Sequence, residues 1–216
     1  MTKSWELFGD AIDGDAARDF LGSSVSLSAD GTVIAIGAPS ADVNVKGTGK
    51  VKVYRIDSAG LSWKPLGKSI DGNNAGDNFG RLSSDHGFGK AVDISPDGST
   101  IAIGFFRTFA IGSPWDGKSA IPGYVKVISL DGSDNIGTGN WTQVGEDITG
   151  EDDGDHFGYS VSLSYDGKTL AVGAWRHNVT IGYHNGHVRV YQMKDSELGW
   201  IKCGEDIDGN VSFGGW

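Results

Sequence analysis

The 216-residue chain has little of what would indicate a disulfide-stabilised, nucleic-acid-binding or membrane-spanning protein. Cys203 is its one cysteine, so no intrachain disulfide can form. Its formal charge of −10 disfavours binding to nucleic acid or anionic membrane, which requires clustered Lys and Arg. No apolar run is long enough to cross a bilayer, and the N-terminal "MTKSWELFGD" lacks the apolar region of a signal peptide. We therefore expect no nucleic-acid partner and no membrane insertion.

Proline is also scarce, at 5 residues, whereas glycine is abundant, at 35. The glycines fall in Asp-Gly, Asn-Gly and Phe-Gly pairs rather than at every third position, which excludes a collagen-like chain and indicates many tight turns.

An internal repeat organises the sequence. Tryptophan recurs four times, each time followed four residues later by glycine, at Trp5, Trp63, Trp141 and Trp200. Three runs that align without a gap lie between these marks: "GSSVSLSADGTVIAIGAP", "GKAVDISPDGSTIAIGFF" and "GYSVSLSYDGKTLAVGAW". They begin at Gly22, Gly89 and Gly158, so Phe88-Gly89 is in register and Phe79-Gly80 is not. We expect the four tryptophans to be structural core.

The repeat predicts four short antiparallel strands per unit. "SVSLS" alternates apolar and polar residues, "TVIAIG" is rich in β-branched residues, and the Asp-Gly between them is typical of a tight hairpin. "KVKVY" predicts a third strand and the Trp segment a fourth. The fold class is thus all-β, with β-propeller blades in a single repeat domain, 1–216. The blades span about 22–70, 77–148 and 155–207, with a flanking outer strand at 5–12.

The segment "FGYSVSLSYDGKTLAVGA" resembles an FG-GAP repeat, the blade of integrin α-chain propellers, and the resemblance extends over essentially the whole chain. It implies a propeller, and it favours an extracellular protein. FG-GAP hairpins usually hold a calcium loop, Asp-x-Asp/Asn-x-Asp-Gly-x-x-Asp. Here the loop is shortened to Ser-x-Asp-Gly, so calcium is not expected at Asp30, Asp97 or Asp166.

Three complete units are fewer than the four to eight blades of a closed propeller. Two chains could complete a ring as a homodimer, the chain could be part of a longer protein, or the structure could stay open.

Acidic loops before the first strand of each blade are a candidate calcium site. The densest cluster is Glu151, Asp152, Asp153 and Asp155. Alternatively, these residues simply favour turns and aid solubility, and no cofactor is then required. His177, His184 and His187 share one long loop, but no acidic partner in the sequence supports a metal there, and we expect surface histidines.

Aromatic residues in irregular loops are the candidate binding residues: Trp115, Asp116, Tyr183 and His184. Phe105, Phe106 and Trp175 are instead expected to continue strands into blade packing.

These features favour a non-enzymatic module that recognises a protein or a cell surface through its loops. Carbohydrate binding of the lectin type is the alternative. A propeller hydrolase or lyase is the third and least favoured hypothesis, because no nucleophile and base recur together in the sequence. Secretion or cell-surface location is expected from the family and from three glycosylation sequons, at Asn140, Asn178 and Asn210.

Overall fold

The computed structural model describes residues 4–42, 48–72, 89–105, 122–131, 139–152, 155–177, 185–194 and 199–209. Within these ranges the chain forms fifteen β-strands in three antiparallel sheets. The same ranges contain no helix, and therefore none that could span a membrane.

We call the three sheets blades one, two and three. Blade one contains β1 Ser24–Leu27, β2 Val33–Ala38, β3 Lys50–Ile56, β4 Trp63–Pro65 and β5 Ile70–Asp71. Blade two contains β6 Ala91–Ile94, β7 Thr100–Phe105, β8 Tyr124–Leu130, β9 Trp141–Gln143 and β10 Ile148–Thr149. Blade three contains β11 Phe157–Leu163, β12 Thr169–Ala174, β13 His187–Met193, β14 Trp200–Lys202 and β15 Ile207–Asp208.

Each blade is a meander of three strands followed by a fourth strand that is interrupted. In blade one, Tyr54 of β3 pairs with Pro65 and Val51 pairs with Ile70, so the outer strand carries two extra residues between its halves. Leu66 lies in this interruption and is fully buried. The predicted all-β class with four-stranded propeller blades is confirmed, and the predicted fourth strand is in fact two short strands.

The hairpin between the first two strands is closed by a hydrogen-bonded Ser-x-Asp-Gly turn. In blade one, the Ser28 hydroxyl donates to Asp30 Oδ1 at 2.7 Å and accepts from the Val33 N–H at 2.9 Å. The Thr32 N–H donates to the same carboxylate oxygen at 2.9 Å. Gly31 has a φ of 72°, the left-handed conformation that the tight turn requires. Equivalent bonds hold the hairpins at Asp97 and Asp166.

The blades stack in chain order through apolar faces. β6 contacts β1 and β2, and β11 contacts β6, β7 and β8, so the first strands lie side by side as inner strands of a propeller do. One core cluster joins blades one and two, including Val33, Val53, Ile101 and Phe105. A second joins blades two and three, including Val125, Leu170 and Val172. The middle strands β2 and β7 are buried along most of their length, whereas in β12 only alternate residues are buried.

Glycine permits the close approach of neighbouring blades. A Cβ on Gly104 would lie 2.0 Å from the carbonyl oxygen of Gly158 in the next blade. The same contact joins Gly37 to the Gly89 carbonyl, at 1.8 Å. The aligned glycines of the sequence repeat are thus inter-blade contacts, and the register that places Phe88-Gly89 in the architecture is confirmed at Gly89.

The repeated tryptophans link successive outer strands at the edge of the core. The indole N–H of Trp141 donates to the Leu66 carbonyl at 2.9 Å, and Trp200 makes the same bond to Val144 at 3.0 Å. Trp63, Trp141 and Trp200 are only partly buried. Trp5 is fully exposed, at 103%. Trp141 and Trp200 pack against the two core clusters as partly buried side chains, so the expectation of four core tryptophans fails at Trp5.

Candidate functional site: a histidine and aspartate cluster in blade three

The sequence-predicted binding residues lie outside the described residues, at Trp115, Asp116, Tyr183 and His184. The same holds for Asp153 and for the sequon residues Asn178 and Asn210. Asn140 is exposed just before β9, and the Thr142 hydroxyl of its sequon donates to the Ser129 carbonyl at 3.2 Å. The remaining acidic candidates, Glu151, Asp152 and Asp155, lie at the start of blade three.

Glu151 forms an ion pair rather than joining the other two carboxylates. Its Oε1 lies 2.5 Å from Nη2 of Arg189, a buried residue of β13. Asp206 accepts two further bonds from the same guanidinium, at 2.9 and 2.7 Å. These bonds raise the pKa of Arg189 above its usual range and lower that of Asp206. Glu151 therefore helps to neutralise a buried cation.

Asp155 is paired with a histidine that follows β12. The carboxylate is almost completely buried, and its Oδ2 lies 2.7 Å from Nδ1 of His177. The Arg176 N–H donates to the Asp155 carbonyl at 3.1 Å, which fixes the two segments against each other. His156, between Asp155 and β11, has a φ of 58°. Phe20 has the same left-handed backbone, at 55°, so this conformation belongs to the repeat.

His187 brings a second imidazole to His177. It is the first residue of β13 and pairs with Ala174, the last residue of β12. Its ring centroid lies 4.1 Å from that of His177, and the residue is only 4% exposed. Neither ring nitrogen has a hydrogen-bond partner among the described residues. Burial, followed by the charges of His177 and Arg189, lowers the pKa of His187, which favours the neutral imidazole.

Asp152 completes the group. One oxygen of Asp152, one oxygen of Asp155 and one ring nitrogen of His177 all lie within 4.8 Å of one another. We call Asp152, Asp155, His177 and His187 the histidine–aspartate cluster. It offers two carboxylates and two imidazoles at one end of blade three, a donor set that can bind a divalent transition metal.

Blade one shows what the repeat contains without this cluster. The counterparts are Asp19 for Asp155, Ala41 for His177 and Lys50 for His187. The backbone is the same: the Ser40 N–H donates to the Asp19 carbonyl, as Arg176 does to Asp155. Both aspartates are buried, at 7% and 5% exposure. The aspartate is thus a common feature, whereas the two histidines are not needed to build a blade.

An exposed aromatic patch lies beside the cluster, formed by Tyr159, Trp175 and Arg176. Tyr159 and Trp175 are 47% and 49% exposed, with their ring centroids 5.9 Å apart. The Arg176 guanidinium lies 5.5 Å from the Trp175 ring centroid. Trp175 was expected to pack between blades, which is wrong, because β12 ends at Ala174 and the next residue leaves the sheet. Phe105 does pack as expected and is 1% exposed, while Phe106 lies outside the described residues.

Comparison with known families identifies the repeat. Residues 141–191 match the family model of the FG-GAP repeat. This stretch begins with β9, contains β10 to β12 and ends within β13, so it covers the outer strand of blade two and most of blade three. The resemblance to FG-GAP repeats is confirmed. No curated protein matches the sequence of the chain.

Two solved structures illustrate the similarity at the level of coordinates. The periplasmic gluconolactonase of Pseudomonas aeruginosa shares 12% identity at a TM-score of 0.42, over 85% of this chain and 45% of that one. The hydrazine synthase of Kuenenia stuttgartiensis shares 18% identity at a TM-score of 0.38, over 82% of this chain and 40% of that one. The chain spans less than half of the length of either protein.

Proposed function

From the FG-GAP repeat and its propeller blades, we propose that this chain is a non-enzymatic recognition module that binds another protein through the aromatic patch of blade three. The observation that carries the proposal is the exposure of Tyr159 and Trp175 next to Arg176. Tyrosine, tryptophan and arginine are the residues that most often dominate the binding free energy of protein interfaces. Blades supply a rigid base from which such residues can project.

The comparison with blade one supports a binding role over a structural one. The positions of Tyr159, Trp175 and Arg176 are occupied there by the smaller Ser23, Pro39 and Ser40. A blade therefore forms without large side chains at these sites. The Trp175 ring contacts the buried His156 on one side, with the ring centroids 5.2 Å apart, and about half of its surface is exposed to solvent.

Carbohydrate binding is the second candidate, since an exposed tryptophan can stack on a sugar ring. The position of Arg176 favours a protein, because the guanidinium already lies over the Trp175 ring and a sugar would compete for that face. An extracellular location belongs to the same proposal and is supported by the exposed sequon at Asn140.

Arrays of purified protein ectodomains and of glycans, probed with labelled wild type and Trp175→Ala, test the proposal. Protein ligands whose affinity falls by about 30-fold or more in the variant, roughly 2 kcal/mol, would support it. Pro39→Ala, at the matching position of blade one, should bind like wild type. Trp175-dependent binding to glycans alone would favour the second candidate, and ligands indifferent to Trp175→Ala would contradict both.

A further inference from the structure

We propose that the histidine–aspartate cluster is a zinc-binding site, with His177, His187 and Asp155 as ligands and Asp152 as the fourth. Zinc in proteins is bound by about four ligands, commonly imidazole nitrogens and carboxylate oxygens. Asp152 and Asp155, before β11, and His177, after β12, supply three donor atoms that lie within 4.8 Å of one another. His187, at the start of β13, adds an imidazole whose ring lies against that of His177.

The distances among Asp152, Asp155 and His177 fit a site that closes around an ion. Asp155 Oδ2 and His177 Nδ1 are 2.7 Å apart and share a hydrogen bond, and the Asp152 oxygen lies within 4.8 Å of both residues' donor atoms. Donor atoms around a tetrahedral zinc lie about 3.3 Å apart, given zinc–ligand distances near 2.0–2.2 Å. Small side-chain adjustments would therefore replace the hydrogen bond by two bonds to the metal.

His187 is the independent observation that favours a ligand. Its imidazole is buried, lies against His177 and has no hydrogen-bond partner for either nitrogen among the described residues. Buried polar groups are normally paired, and an unpaired imidazole is destabilising unless a ligand satisfies it. A metal ion beside His177 would give His187 a partner that the protein does not.

The buried positive charge beside His187 is held in ion pairs with two carboxylates. Arg189, the nearest buried positive charge, is already paired with Glu151 and Asp206. The Asp152 and Asp155 carboxylates therefore remain to balance a divalent ion.

The donor set favours zinc over calcium. Calcium takes six to eight oxygen ligands, and two of the four donors here are nitrogens. Glu151, a candidate calcium ligand in the sequence, points to Arg189 instead. Imidazole suits zinc, copper and nickel, among which zinc has the strongest preference for the tetrahedral arrangement that four such ligands can give.

Zinc binding would also order the aromatic patch. Trp175 and Arg176 immediately precede His177, and the His177 carbonyl accepts from the Gly186 N–H at 3.1 Å just before β13. A metal bound to His177 and His187 would tie the ends of β12 and β13 together beneath Trp175.

Titration of the purified, chelator-treated full chain with ZnCl₂ in a calorimeter tests the proposal, with CaCl₂ as comparison. We expect one zinc per chain, a higher melting temperature with zinc, and no such effect of calcium. His177→Ala and His187→Lys introduce the residues of blade one, Ala41 and Lys50, and should each weaken zinc binding by at least 10- to 100-fold. Asp19→Asn, at the position equivalent to Asp155 but without histidines nearby, should leave the affinity unchanged.

Cobalt provides a measurement on the wild type that does not depend on the folding of variants. Co²⁺ bound by the cluster should give the intense visible absorption of a four-coordinate site, and zinc should remove it. Wild-type protein that remains folded but neither binds zinc stoichiometrically nor gives this absorption would overturn the proposal. Zinc binding of unchanged affinity in folded His177→Ala and His187→Lys would also overturn it.

Discussion

Asp30, Asp97 and Asp166 show how one residue type closes the same hairpin three times. Hydrogen bonds from the Ser28 hydroxyl, the Thr32 N–H and the Thr32 hydroxyl lower the pKa of Asp30. The pKa of Asp166 is lowered by its own serine, Ser164, and by the Lys168 N–H. These carboxylates accept hydrogen bonds within the turn and so hold the hairpin closed.

The stability contributed by Asp30 should depend on pH. Because its pKa is lower in the folded state, the contribution is complete above the unfolded-state pKa, near 3.9, and is lost as the pH falls through the folded-state pKa. We expect Asp30→Ala to lower the free energy of unfolding at pH 7 and to lower it much less at pH 2.5, in urea unfolding followed by circular dichroism. Asp13→Ala, at an exposed residue outside the strands, serves as a comparison for general acid effects. An Asp30→Ala difference that is constant with pH would contradict this account.

Gly104 lies at a close contact between two blades, whereas Gly173 lies at a close contact within one blade. A Cβ on Gly104 would meet the backbone oxygen of Gly158, whereas one on Gly173 would meet the Ser160 hydroxyl, at 2.3 Å, which can rotate away. We expect Gly104→Ala to lower the free energy of unfolding by about 1–3 kcal/mol through overpacking. Gly173→Ala should cost less, as measured by urea unfolding. Equal decreases in the free energy of unfolding for the two variants would mean that the blades can move apart without loss of stability.

At the scale of elements, the tryptophan bonds connect one outer strand to the next. Trp141→Phe would remove the N–H that the Leu66 carbonyl accepts while keeping most of the apolar ring. We expect a loss of about 1–3 kcal/mol from the unsatisfied carbonyl, measured by thermal or urea unfolding.

Trp5→Phe is the matched control, because Trp5 is fully exposed. Trp5→Phe should change the free energy of unfolding by no more than about 0.5 kcal/mol. If the two variants were equally stable, the bonds between outer strands would be incidental to the fold.

Most strands of this fold can be predicted from local patterns, because alternation, β-branched residues and Asp-Gly turns act over a few residues. The split of the outer strand was missed, since Leu66 reads as one more strand residue until its pairing with β3 is known. The cluster was missed for a different reason. His177 and His187 meet because His187 pairs with Ala174, and neither histidine recurs in blade one to mark it as part of a pattern.

At the scale of the whole molecule, each end of the stack has apolar side chains that are exposed among the described residues. Val25 and Leu27 of blade one are 59% and 54% exposed, whereas their counterparts in blade two, Val92 and Ile94, are 9% and 5% exposed. On blade three, Ile207 is likewise 62% exposed. The exposed face of blade one and the exposed face of blade three correspond to the two faces that pack together between neighbouring blades. This favours head-to-tail contact between blade one of one copy and blade three of another.

Residues 5–12 affect this association. The Trp63 indole donates to the Phe8 carbonyl at 3.2 Å, as Trp141 does to Leu66, so the segment occupies the place of a preceding outer strand. We propose that two copies close into a six-blade ring, and that removal of residues 1–12 strengthens the association by clearing that place for blade three of the partner copy.

Light scattering after size exclusion should then report a dimer for the full chain, and a dimer stable at lower concentration for the shortened one. Val25→Lys with Leu27→Lys should return both to monomers. Monomers at every concentration of both chains would contradict the proposal.

The central claim is that blade three combines the scaffold that it shares with blade one with a zinc-binding cluster beside an exposed aromatic patch. The most direct test is X-ray diffraction at the zinc absorption edge from crystals grown with zinc. The account predicts a peak in the anomalous difference map within bonding distance of the side chains of Asp155, His177 and His187. A well-ordered blade three with no peak at the cluster, while zinc binds only elsewhere, would contradict it.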